Sequence, residues 1–194
     1  MDKVTLGIPI YNAANLVERT LLSALNQTYP NIEFIFVDDK GNSMDIVRRI
    51  IAEHPRRNAV RIIDQKHNQG TGAARNAIVT YATGKYLFTM DCDDVIKDVQ
   101  GNIYPGGCQY DDVLVEEGDY AVAQYRYGQG KNIFVATWNK LYRTDFLRKN
   151  KICCVPHYLI DDPWFTYQVI IRARSCRLIS DCTLFFTYNP LSVT

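Results

Sequence analysis

Residues 4–12 read Val4-Thr5-Leu6-Gly7-Ile8-Pro9-Ile10-Tyr11-Asn12, an apolar, β-rich run closed by a polar pair. Working outward, Leu16, Thr20, Leu21, Ala24 and Leu25 recur at helical spacing until Tyr29-Pro30-Asn31 stops them. Ile32 to Val37 is a second apolar run, followed by the polar turn 38–42. Ser43 suits the N-cap of a helix carrying Ile46, Val47, Ile50 and Ile51, with Pro55 beyond its end. Val60 to Ile63 is a third strand, Gly70-Thr71-Gly72 opens a helix that Gly84 ends, and Tyr86 to Met90 is a fourth strand. Residues 1–94 thus predict β-α-β-α-β-α-β, which means parallel pairing with right-handed crossovers. The strands are apolar throughout rather than alternating, as helices on both faces require.

Ligands of such sheets bind beyond the carboxyl ends of the strands. Tyr11-Asn12, Asp38-Asp39, His67-Asn68 and the cluster Asp91-Cys92-Asp93-Asp94 all fall there. Hard carboxylate oxygens suit Mg²⁺ or Mn²⁺, which keep positions open for phosphate oxygens. In an extended segment Asp91 and Asp93 point the same way, one toward a metal and the other toward a sugar or ribose hydroxyl. The competing reading is a solvated acidic turn in which Asp94 caps the next element. A carboxylate at Asp38-Asp39 can accept from a uracil N–H or simply cap a helix. Tyr11 can stack on a base or pack. Arg75 can pair with phosphate, with the acidic loops, or in a structural ion pair. Asp161-Asp162, before a helix with Pro163 at its first position, is either a cap or a general base.

Beyond residue 94 the expected elements are a loop over 98–107, strands over Tyr120–Tyr127 and Asn132–Thr137, and a helix over Thr144–Lys149 capped by Thr144. A helix over Asp162–Arg172 and strands at Leu178-Ile179 and Leu184–Tyr188 complete the set. With 22 Lys and Arg against 21 Asp and Glu, the +1 balance gives no electrostatic reason to expect nucleic acid. No run of about 18 apolar residues reads as a membrane span. The start lacks the basic flank and cleavage site of a signal peptide. Six cysteines form no CxxC pair and are expected to be free thiols in a reducing cytosol. His54, His67 and His157 lack metal-ligand spacing. GxSxG and Walker A motifs are absent, and Gly70-Thr71-Gly72 is not a dinucleotide fingerprint.

Taken together these segments resemble the GT-A-fold glycosyltransferases of family 2. Residues 4–12 are similar to "vsviiPvYN", Leu22 to Glu33 to "SllnQtypniE", and Phe36-Val37-Asp38-Asp39 to "vDDgS". Asn68-Gln69-Gly70 with Ala73 to Asn76 matches "NxG…aRN", Asp91 to Asp94 matches the DxDD metal motif, Trp138 to Arg143 matches "wnKlyr", and Asp161 to Phe165 stands at "EDxxF". The resemblance implies one GT-A domain over 1–194, an α/β Rossmann-like, mostly parallel sheet with helices on both faces. Residues 1–94 would be its nucleotide-sugar-binding half and 95–194 its acceptor-side half. It also implies a metal-dependent, inverting transfer from a nucleoside-diphosphate sugar, UDP-linked in our expectation, to a hydroxyl of a glycan or lipid-linked acceptor of the cell envelope. Pro9, Tyr11, Asp39, Arg75 and Asp91 would serve the donor, Asp93 would bind Mn²⁺ or Mg²⁺, Asp162 would be the base, and Trp138 and Asp161 would lie on the acceptor side. The expected location is cytoplasmic, at the inner face of the membrane where the acceptor is lipid-linked.

Asp161 replaces the family's Glu, and the turn after Asp39 departs from the usual Asp-Asp-Gly-Ser-Thr-Asp. Residues 95–137 are short and irregular for the family. Either loops are missing near 40–42, 95–99, 106–112 and 128–131, or the acceptor region is unusually small. A nucleotide-sugar-binding module without catalysis is the alternative. A nucleotidyltransferase fits less well, because Pro9-Ile10-Tyr11-Asn12 is no glycine-rich phosphate loop.

Overall fold

The computed structural model describes residues 1–96, 112–131, 133–157, 161–180, 184–185 and 187. Its centre is a five-stranded sheet built from Val4–Ile10 (β1), Ile32–Asp38 (β2), Val60–Asp64 (β3), Tyr86–Thr89 (β4) and Leu141–Arg143 (β7), in the order β3-β2-β1-β4-β7. The first four are parallel, and β7 joins β4 antiparallel, with Tyr86 opposite Arg143. Val17–Leu25 (α1) and Met44–Glu53 (α2) cover one face, packing Val17, Leu21, Leu25 and Val47 on Leu6, Ile8, Phe34 and Phe36. Thr71–Tyr81 (α3), Thr144–Lys149 (α5) and Asp162–Arg172 (α6) cover the other, where Ala74, Ile78, Leu147 and Phe165 meet Ile35, Val37 and Leu87. Burial on both faces is why β1 and β2 carry almost no polar alternation.

Pro9 sits inside a central strand, where a missing N–H normally costs a ladder bond. Register removes that cost. Ile10 O accepts Asp39 N and Gly7 O accepts Met90 N, so Pro9 turns its nitrogen toward β4, whose pairing with β1 has ended at Gly7.

Two small antiparallel sheets lie outside the main one. Val95–Ile96 (β5) pairs with Leu184–Phe185 (β9), and Val113–Val115 (β6) pairs with Cys176–Leu178 (β8). The late strands therefore form, the first displaced to Cys176–Leu178 and the second present at Leu184–Phe185, beyond which its expected residues 186 and 188 lie outside the described residues. Other expectations fail. Tyr120–Tyr127 is helical: Ala121–Ala123 (α4) runs into a π-turn over Gln124–Gly128. Packing decides it, since Val122 must reach Ile170 of α6 and Ile133 in a separate small core. Residues 133–137 form no strand, because side chains take their carbonyls. Lys140 Nζ donates to Phe134 O and Ala136 O, Thr166 Oγ1 to Val135 O, and Tyr142 Oη to Thr137 O. The cap of α5 is Arg143, not Thr144. Ser43 does stand at the N-cap of α2, as expected, but its hydroxyl accepts Ala13 N and makes no capping bond to the helix. Helix α3 ends at Tyr81, three residues before Gly84, whose N–H donates to Thr5 Oγ1. The loop expected over 98–107 lies outside the described residues.

At the amino-terminal edge of the sheet Glu33 accepts from Lys3, Thr5, Thr83 and Gly84. Burial opposes its ionisation, but these bonds outweigh it and hold the carboxyl down at about 2. A depressed carboxyl contributes stability above its unfolded value near 4.5, lost as pH falls toward about 2. Glu33→Gln is therefore expected to be less stable than the wild type at pH 7, with the gap closing on acidification below the unfolded value. Denaturant melts of both proteins at several pH values check this; a gap independent of pH contradicts it.

Candidate active site

The carboxyl ends of β1, β2, β3 and β4 deliver Tyr11-Asn12, Asp39, residues 65–70 and the acidic cluster to one edge of the sheet. The loops are tied to one another. Asp39 Oδ1 accepts Gln69 N at 2.7 Å and Oδ2 accepts Gly70 N at 2.9 Å. Asn12 Oδ1 accepts Asn42 N, and the Cys92 thiol reaches Tyr11 O at 3.9 Å. Pro9 is buried, and Tyr11 is 47% exposed at the rim.

The acidic cluster is a turn, not the extended segment expected, since Asp94 N donates to Asp91 O at 3.3 Å. Strand alternation therefore does not orient Asp91 and Asp93. Asp94 points inward. Its Oδ1 accepts Thr187 N at 2.9 Å while Oδ2 is buried without a partner, and burial pushes the carboxyl up to about 7. Asp91 and Asp93 are half-buried. Burial also raises the Asp91 carboxyl, against the pull of Arg75.

Arg75, one turn into α3, is the cation of the site, with its side chain 6% exposed. Its Nη2 donates to Asp91 Oδ1 at 2.7 Å, and its Nη1 donates to Asp161 Oδ1 at 3.0 Å and Asp162 Oδ1 at 2.8 Å. Burial works against the charged form, and Asp91, Asp162 and Asp161 more than offset it, so the guanidinium lies above its ordinary pKa. Gly72 makes the approach possible. A Cβ there would stand 2.8 Å from Val155 O and 3.2 Å from Asp161 Oδ2. Gly72→Ala is expected to destabilise the fold by about 1–3 kcal/mol, read as a lower melting temperature. An unchanged melt contradicts the close packing.

Asp162 opens α6 and is held by one oxygen. Oδ1 accepts Arg75 Nη1, Thr137 Oγ1 at 2.7 Å and Thr137 N at 3.3 Å. Among the described residues Oδ2 takes no hydrogen bond, and the side chain is 21% exposed. Thr137 is itself held through its carbonyl by Tyr142, whose ring meets Phe165 of α6 edge-on at 5.5 Å. Lys140, desolvated and pushed down to about 8, clamps the same loop from Asn139 Oδ1 and two carbonyls. On that loop Trp138 is half-buried and lies edge-on to Phe134 at 5.6 Å.

The structure thus brings Arg75, Asp91, Asp161 and Asp162 into direct contact and leaves Tyr11 and Asp39 on the neighbouring loops. Thr137, Lys140, Tyr142 and Asn76, whose amide pairs with both backbone groups of Cys154, went unnoticed in the sequence. For Lys140, Tyr142 and Asn76 the signal available was their position inside the "wnKlyr" and "aRN" segments; Thr137 lies just before the first of these. No group of three His, Cys, Asp or Glu suited to a metal occurs among the described residues. A Mg²⁺ or Mn²⁺ ion needs only one or two carboxylates when phosphates complete its shell. The carboxylates of Asp93 and Asp91 are of the right chemistry for that. An apolar cavity of about 320 Å³ lined by Val4, Leu6, Phe88 and Leu141 contains none of these carboxylates.

A family model described as glycosyl transferase family 2 matches residues 5–160. The chain belongs to glycosyl transferase family 2. An uncharacterized glycosyltransferase of Haemophilus influenzae is 31% identical over 149 residues, covering 76% of this chain and 56% of that protein. A poly(ribitol-phosphate) beta-glucosyltransferase of Bacillus spizizenii is 28% identical, covering 95% of this chain and 32% of that protein. The chain therefore spans about half, or less, of the length of these family 2 relatives. Among solved structures, S. aureus TarS 1–349 in complex with UDP-GlcNAc superposes with a TM-score of 0.77 at 20% identity, covering 98% of this chain and 60% of that one. A Pyrobaculum calidifontis mannosyltransferase in complex with GDP-Man and Mn²⁺ gives 0.63 at 21% identity, covering 89% and 53%. The fold is that of the GT-A glycosyltransferases.

Proposed function

We propose that this family 2 glycosyltransferase moves a sugar from a UDP-sugar to a hydroxyl of a glycan or lipid-linked acceptor of the cell envelope, inverting the anomeric centre. The observation that carries the reading is Asp162. One carboxylate oxygen is fixed by three donors, and among the described residues the other takes no hydrogen bond, on a side chain that is partly exposed. A general base needs that arrangement: a fixed position and one oxygen open to a substrate proton. In the proposed reaction Asp162 Oδ2 takes the proton of the acceptor hydroxyl as its oxygen attacks the anomeric carbon. The bond to the diphosphate breaks on the opposite side, which gives inversion.

Pro9 and Tyr11 line the uridine, with the Tyr11 ring available for stacking. Asp39 spends one lone pair per oxygen on Gln69 and Gly70 and keeps others for a uracil N–H. Asp91 contacts the donor sugar or nucleotide. Asp93 would hold Mn²⁺ or Mg²⁺, and such an ion would supply positive charge against the diphosphate leaving group. Trp138 and Asp161 border the acceptor. Residues 1–94 form the donor half and 95–194 the acceptor half of one domain. The donor class is supported by the UDP-GlcNAc and GDP-Man in the two similar structures, and the metal by the Mn²⁺ in one. A cytoplasmic site of action is supported by the free thiols of Cys92, Cys153, Cys154 and Cys176.

The test is UDP release from a panel of UDP-sugars with Mn²⁺, with and without glycan and polyol-phosphate acceptors. Release stimulated by an acceptor is expected. UDP binding with no release from any pair would instead support a non-catalytic binding module.

A further inference from the structure

Arg75 was expected to serve the donor nucleotide. Its surroundings point elsewhere. Nη1 and Nη2 are committed to three carboxylates, Nε is buried without a partner, and the side chain is 6% exposed. The three carboxylates come from two places. Asp91 lies in the turn after β4 on the donor half, whereas Asp161 and Asp162 are the cap and first residue of α6 on the acceptor half. Nothing else described links Asp91 to Asp162 through a single side chain.

We infer that Arg75 is a positioning residue that sets the distance between the donor-side carboxylate Asp91 and the base Asp162, rather than a ligand of the nucleotide. The inference rests on the glycosyltransfer reading above. A planar guanidinium offers two nitrogens in a fixed fork, so it holds its partners at fixed separation. Lysine brings one point charge and cannot hold both ends together. Thr137 completes the device, because it donates twice to the same Asp162 oxygen that Arg75 holds and so leaves Oδ2 as the open one. Displacing either anchor moves the base relative to the anomeric carbon, and a misplacement of about 1 Å can cost roughly 10²-fold in rate.

The experiment compares wild type, Arg75→Lys, and the charge-reduced pair Arg75→Gln with Asp161→Asn. Two readouts are taken after melts confirm folding: UDP affinity with Mn²⁺ by calorimetry, and kcat for UDP release from UDP-sugars. A positioning role predicts kcat lower by roughly 10²-fold with UDP affinity within about threefold of wild type. Lys restores little of the lost rate. Loss of UDP affinity by about 30-fold or more in both folded variants would make Arg75 a nucleotide ligand and overturn the inference. So would retention of wild-type kcat. If the Arg75 variants fail to fold, Thr137→Val is read in their place: a fall of about tenfold or more in kcat with unchanged UDP affinity is expected, and unchanged kcat overturns the account. A wild type that neither binds UDP nor releases it from any donor fails the glycosyltransfer reading itself, a result distinct from these.

Discussion

Asp162→Asn is expected to lower turnover by about 10³-fold while leaving UDP affinity unchanged. The amide keeps an oxygen that can accept from Arg75 Nη1 and Thr137 Oγ1, so the anchor that fixes the side chain survives. What it loses is the ability of the second oxygen to take a proton. The comparison variant is Asp161→Asn. Asp161 turns its Oδ1 to Arg75 and buries Oδ2 without a partner, so it has no open oxygen for an acceptor. Steady-state UDP release for both variants separates the two carboxylates. Full turnover in Asp162→Asn would move the base to another residue.

The second large effect is expected from Asp93→Ala. Compensation of the charge that develops on a departing diphosphate is worth several kcal/mol, or roughly 10³-fold in rate. The variant should lose that factor together with the response to Mn²⁺. The fold should survive, because Asp94 ties the turn inward through Thr187 N and keeps that tie in the variant. UDP release measured across a Mn²⁺ series decides it. Mn²⁺-stimulated turnover persisting in Asp93→Ala would take the metal away from this turn.

The donor half was legible because its physics is periodic. Val4–Ile10 and Ile32–Asp38 are buried on both faces, so their apolar continuity could mean only a covered parallel sheet. Once the order of strands is parallel, the loops at their carboxyl ends must share an edge, and Tyr11, Asp39 and Asp91 follow. What was not legible is contact between distant carboxylates. Arg75 and Asp162 are 87 positions apart, and their pairing depends on Gly72 letting α3 press against residues 154–155. The 133–137 segment has strand-like composition, yet its carbonyls go to Lys140, Tyr142 and Thr166. Propensity describes a residue's own backbone, and here the side chains of later elements decided. The same holds for Tyr120–Tyr127, where Val122 turns inward onto α6 and a helix forms in place of an edge strand. The acidic turn shows the reverse limit. Its composition identified the site, but the bond from Asp94 N to Asp91 O sets which carboxylates face outward, and spacing alone could not supply that.

The most direct test of the central claim, a UDP-sugar donor site at the carboxyl edge of the sheet, is a calorimetric titration of UDP into the folded wild-type protein with and without Mn²⁺. The account predicts saturable binding of one UDP per chain, tightened by Mn²⁺. Absence of UDP binding under both conditions would contradict it.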